Sequence, residues 1–117
     1  MKEISDDFQN VRRTAILIQP KQPYQDWLLK IDPNNQIPDE LLHDNEIYLL
    51  PDLEEIDELE KWLEKNFDLI FKDQLSHWYL DESLWVQNRN YDLFKKWFDF
   101  SLHTMLWDTL KTPIQKI

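Results

Sequence analysis

The 117 residues carry a formal net charge of −10, with 42% hydrophobic and 14% aromatic residues, a composition that folds around one core instead of staying disordered. Cysteine is absent, which excludes disulfides and thiolate metal sites and fits a reducing cytoplasm. There is no run of eighteen apolar residues and no basic segment leading into an apolar one, so the sequence predicts a cytoplasmic chain that neither spans a membrane nor is exported.

The first ten residues read as a polar segment open to disorder, and residues 11–117 as a single domain. Arg13 to Gln19 (RTAILIQ) is a β-rich apolar run stopped by Pro20, which predicts a strand buried on both faces. Pro23 then opens a short helix, Tyr24 to Ile31, with Tyr24, Trp27, Leu28 and Ile31 on one face and Pro33 past its end. Asp32 to Pro38 is a turn-rich loop, and Leu41 with Leu42 suits a short helical turn. Glu46 to Leu50 (EIYLL) predicts a second strand, ended by Pro51.

From Ile56 to Trp78 apolar residues recur at helical spacing, as one long helix or two abutting ones with Asn66 as the place to break, and Asp57 with Glu60 resembles a capping arrangement. A polar connection, Tyr79 to Asn90, leads to a short helix around Tyr91, Phe94, Trp97 and Phe98, and a third strand is expected within Phe100 to Leu110. A single helix between the first two strands allows them to be parallel in a right-handed crossover. Three strands with helices on one face make an α+β two-layer sandwich, with strand order left open.

Glycine is also absent, where average usage would place roughly eight. Phosphate-cradling loops, dinucleotide turns and nucleophile elbows need glycine backbone, so those enzyme classes are excluded. Left-handed turns must fall to asparagine, at Asn34, Asn35, Asn45, Asn88 or Asn90. The charge is unevenly placed: Asp39 to Asp68 holds twelve carboxylates against Lys61 and Lys65, equal to the whole net charge. This predicts one strongly negative face, which disfavours nucleic acid and anionic lipid and suits a protein partner with a basic patch.

Six tryptophans stand in the chain; helical periodicity accounts for Trp27, Trp62, Trp78 and Trp97 as core. Trp85 lies in the polar connection DESLWVQNR, where periodicity does not demand it. It reads either as a recognition indole or as an inward-folding plug. Taken as recognition, it would be joined by Tyr79 and rimmed by Asp81, Glu82 and Arg89, with Arg89 stacked on the indole. The histidines, His43, His77 and His103, fall on a loop, a helix end and a strand without a paired motif. A metal-dependent or hydrolytic site would need His77, His103 and Asp108 to meet in space, or Asp81 or Glu82 to be desolvated beside a tryptophan.

The succession PKQPYQDWL, IYLLPDLE, WLEKNFDLIFKDQL, WYLDESLW and FKKWFDFSLHTMLWD resembles small acidic bacterial proteins of no established activity, over most of the chain. The resemblance implies a bacterial cytosolic single domain and nothing catalytic. The sequence therefore favours a non-enzymatic protein-binding module, using the acidic face, the Trp85 connection or both, with no cofactor. The competing readings are a small enzyme using His77, His103, Asp81, Glu82 or Asp108, and a homo-oligomer with an aromatic self-interface.

Overall fold

A computed structural model describes residues 4–37 and 45–117; the expected turn at Leu41 and Leu42, His43 and the carboxylates Asp39, Glu40 and Asp44 lie outside the described residues. Strand β1 (Ile4–Asn10) precedes β2 (Thr14–Pro20), helix α1 (Gln22–Ile31), β3 (Glu46–Leu50), helix α2 (Ile56–Ser76), a 3₁₀ turn (Glu82–Leu84), helix α3 (Tyr91–Trp97), β4 (Phe98–His103) and β5 (Trp107–Leu110). The fold is α+β.

The β-branched run of β2 takes the centre of a three-stranded sheet ordered β3-β2-β4. Ile16 and Ile18 of β2 are fully buried toward the helices; on the other face Ala15 is buried and Leu17 half-buried. Pro20, with no N–H to give, stands at the strand's end opposite Phe98. Both neighbours run antiparallel to β2, with Ile16 opposite Tyr48 on one side and Leu102 on the other. The parallel β2–β3 pair that the intervening helix allowed does not form. After α1 the chain has another fourteen residues before Glu46, ample length to return to the end of β2 from which an antiparallel neighbour starts.

All three helices pack on one face of this sheet, and periodicity explains how. α1 buries Tyr24, Trp27 and Leu28, starts with a proline in its first turn and stops before Pro33. α2 is one continuous helix burying Leu59, Leu63, Ile70, Phe71 and Leu75. Of the two alternatives the single helix forms: at Asn66, the place to break, the side chain donates back to the Trp62 carbonyl at 2.9 Å, a bond compatible with the helix. Asp57 and Glu58 sit in the first turn of α2, where negative charge meets the positive end of the helix dipole. Asn90 caps α3 by accepting from the Leu93 N–H at 2.7 Å. Phe71 meets Phe98 edge-on at 5.4 Å and Phe94 at 5.9 Å, joining α2, α3 and β4 in one aromatic core.

The C-terminal strand expected in Phe100 to Leu110 is two strands. β4 starts straight off α3 at Phe98, and a bend at Thr104 separates it from β5. β5 pairs antiparallel with β1, the polar start of the chain, as a two-stranded ribbon with an irregularity between Ile4 and Gln9. The Val11 N–H to Leu106 carbonyl bond at 2.8 Å connects the ribbon to the main sheet. Among the described residues no helix is long and apolar enough to cross a membrane.

Candidate functional site

The connection from Tyr79 to Arg89 is built by its own short side chains. Asp81 caps the 3₁₀ turn, accepting from the Ser83 N–H at 3.0 Å and hydroxyl at 2.7 Å, and these bonds hold its carboxyl below the usual carboxylate range. Asn88 is the one described non-glycine residue with positive φ, at 56°, so asparagine supplies the left-handed position in a chain without glycine. Arg89 then fastens the connection to α2. Its Nε donates to Asp68 Oδ1 at 2.7 Å and its Nη1 to the Val86 carbonyl at 2.8 Å.

Trp85 is 9% exposed and belongs to the core. Its indole N–H donates to the Tyr79 carbonyl at 2.8 Å, so the ring's one polar atom is satisfied while the rest is buried. Of the two readings, recognition indole or inward plug, this burial and bond are those of a plug with one edge on the surface. Nor does Arg89 stack on it, since the guanidinium is taken up by Asp68 and Val86. Of the five residues singled out, Tyr79, Trp85 and Arg89 turn inward, and Asp81 and Glu82 are exposed. Tyr79 meets Trp27 edge-on at 5.4 Å.

What the connection does form is one wall of a groove of about 560 Å³ against α1. Trp27, Trp85 and Trp97 line it together with Leu84, Val86 and Ile31, and the exposed Asp26 and Lys30 border it. Trp27 donates its indole N–H to the Leu84 carbonyl at 2.9 Å. With the donors of Trp27 and Trp85 committed, those two indoles offer the groove ring carbon, suited to an apolar occupant. On its far side Trp85 also borders a smaller polar hollow of about 160 Å³ with Lys72, Glu82, Gln87 and Arg89.

A second cluster lies where α2 ends over β3. His77 places Nδ1 3.0 Å from Glu46 Oε1 and Nε2 3.2 Å from Asp73 Oδ2, so each ring nitrogen faces a carboxylate oxygen. Tyr48 donates to Asp73 at 2.5 Å, and Gln74 donates to Glu46 at 3.1 Å and to the Tyr48 oxygen at 2.8 Å. Tyr24 bonds to the Gln74 carbonyl. Burial, with the neighbouring carboxylates, pushes the phenols of Tyr24 and Tyr48 far up, so both stay donors. Ligand atoms of Glu46, Asp73 and His77 lie within 4.8 Å of one another and all three residues are exposed. Each ring nitrogen already faces a carboxylate, however, so the cluster acts as a latch holding the end of α2 on the edge strand.

His103 and Asp108 do not join His77. Strand alternation puts Phe98, Phe100 and Leu102 toward the helices and His103 on the opposite face of β4, 2.8 Å from the Ser101 hydroxyl. Asp108 accepts from the Leu110 N–H at 2.9 Å in the separate ribbon. The partners of His77 were half-legible: Asp73 is four residues back on the predicted helix, whereas Glu46 arrives only through packing of α2 on β3. The groove was not legible, because it needs α1 beside the connection.

No family model matches the chain, and neither a curated protein nor a solved structure matches it with significance.

Proposed function

We propose that this protein is a non-enzymatic binding module whose groove between α1 and the Leu84–Val86 segment receives an apolar anchor side chain of a partner protein with basic flanking residues. The observation that carries this reading is the groove itself, lined by Trp27, Trp85 and Trp97 with two indole donors internally committed. Aromatic-lined concavities that exclude water are where anchor residues contribute most to an interface. The basic flank follows from charge. Asp52, Glu54, Glu55, Asp57, Glu58, Glu60 and Glu64 are all exposed and form no ion pair with any described residue. That field draws a basic partner in and speeds its encounter, an effect that fades as salt screens it.

The test uses short synthetic peptides with one Leu or Trp anchor, flanked by Lys/Arg or by Asp/Glu, titrated into ¹⁵N-labelled protein. Basic-flanked peptides are expected to shift the indole N–H signals of Trp27 and Trp85, more weakly at high salt. Leu84→Lys, at a 39% exposed position of the groove wall, should abolish the shifts without unfolding the chain. Shifts that are indifferent to the flanking charge and to Leu84→Lys, or no shifts at millimolar peptide, would overturn the proposal.

A further inference from the structure

The β1–β5 ribbon carries an exposed face that the binding groove does not explain. Phe8 and Trp107 are each 55% exposed and Met105 57%; Ile4, 70% exposed, stands opposite Leu110 and so on the other face of the ribbon from Trp107. Asn10 lies opposite Trp107, so Phe8, two residues back on the same strand, shares that face, and Met105 Sδ sits 3.8 Å from Asn10 Nδ2. Two strands alone are marginal in water. Among the described residues β1 is hydrogen-bonded on one side only, by β5, and a free strand edge is a template for another strand.

We propose that this edge pairs with itself: β1 of one copy adds antiparallel to β1 of a second copy across a two-fold axis, giving a four-stranded sheet. Three observations select a second copy as the occupant. The first is the order of residues, ISDDFQNVRR from Ile4 to Arg13, acidic before the aromatic centre and basic after it. An antiparallel two-fold pairs a residue with its own copy; centring it on Gln9 brings Phe8 opposite Asn10, with the two Phe8 rings on one face, and sets Asp6 against Arg12, which stands in the bend just past the end of β1. Asp6, Arg12 and Arg13 are exposed and form no ion pair with any described residue of their own chain. The second is the distribution of charge. The acidic stretch responsible for the net −10 runs from Asp39 to Asp68 and β1 lies outside it, so self-association through β1 joins segments of mixed sign. The third is the apolar residue beside the axis: Phe8 is 55% exposed on β1, and the pairing sets it beside the same residue of the second copy. Backbone pairing supplies the affinity, and the charge order sets the register.

Sedimentation velocity between about 5 and 200 µM should show a species of twice the 14.5 kDa chain mass. Asp6→Lys alone and Arg12→Glu alone should each weaken the dimer at least about tenfold, because like charges then face each other across the axis. Mixing the two variants should restore a dimer containing one of each, seen by native mass spectrometry, since Asp6 then meets Arg12 on one side and Lys meets Glu on the other. Circular dichroism checks that both variants fold, as expected at exposed positions. A chain that stays at 14.5 kDa throughout, or a dimer unmoved by either substitution, or a mixture without rescue, overturns the proposal.

Discussion

Replacing Trp85 by alanine separates a plug from a recognition residue. The indole is 9% exposed, stands between the groove and the polar hollow, and donates to the Tyr79 carbonyl at 2.8 Å. Truncating a buried tryptophan costs about 3 to 5 kcal/mol when the space stays empty. Here the vacated space opens onto the groove, so water can enter and the cost falls to the lower end, about 3 kcal/mol. The freed Tyr79 carbonyl can be wetted by the same water and adds less than about 1 kcal/mol. For a chain of this size that is a drop in melting temperature of roughly 10 °C. Trp85→Phe keeps a ring and loses only the donor and part of the volume, so its loss should be about 1 to 2 kcal/mol. The assay is urea unfolding followed by circular dichroism, with the m-value unchanged between variants. Trp62→Ala serves as the internal reference. Trp62 is only half-buried at the margin of the core, and should cost less than Trp85→Ala despite its helical spacing. A Trp85→Ala loss below about 1 kcal/mol, or one smaller than that of Trp62→Ala, would refute the reading of Trp85 as a plug.

Four further outcomes follow from ion pairs and the latch. Arg89→Met removes the bonds to Asp68 and Val86 at a side chain 15% exposed and should destabilise by about 1 to 2 kcal/mol, measured by urea unfolding. Burial pushes the Asp68 carboxyl up, but the Arg89 hydrogen bond and charge outweigh it and hold it below the usual range; its contribution is therefore complete above the ordinary aspartate value near about pH 4 and lost as pH falls through the lower folded value, so Asp68→Asn should flatten that acid limb of stability. Asp73→Asn, at the exposed latch, should cost no more than about 1 kcal/mol yet speed amide hydrogen exchange in the last turn of α2; unchanged exchange there would show that the latch holds nothing. Elemental analysis of dialysed protein should find far less than one zinc or iron per chain, because both nitrogens of His77 already face carboxylates; about one ion per chain would mean that Glu46, Asp73 and His77 prefer a metal.

Where apolar residues carried the period, the sequence was readable at the level of single elements. β3 has the predicted bounds, Glu46–Leu50, and α1 and α3 lie where one-sided apolar faces put them. The misreadings share a cause, which is that the deciding contact comes from elsewhere in the chain. Ile4–Asn10 has just two apolar residues in seven and no alternation that demands a sheet; it is a strand because β5 pairs with it. The run from Tyr91 into β4 satisfies a helical period until Trp97 and a strand period from Phe98, so the switch is invisible until Phe98 finds its place opposite Pro20 of β2.

The candidate site shows the same division at the level of side chains. Departure from periodicity correctly marked Trp85 as needing its own explanation, but not which explanation, because the direction of an indole is set by whether its N–H finds a partner inside. That partner is a backbone carbonyl, at Tyr79, and carbonyl positions carry no sequence signature. Trp27, assigned to the core by spacing, uses the same device on the Leu84 carbonyl. The two bonds fix the walls of the groove from opposite sides, one across from α1 and one within the connection. Trp85 is thus structural through its buried ring first and its donor second. It follows that stability and groove access should separate by residue: Trp85→Ala removes the buried ring and costs stability, while Leu84→Lys, at an exposed position of the groove wall, blocks the groove with the Trp85–Tyr79 bond in place.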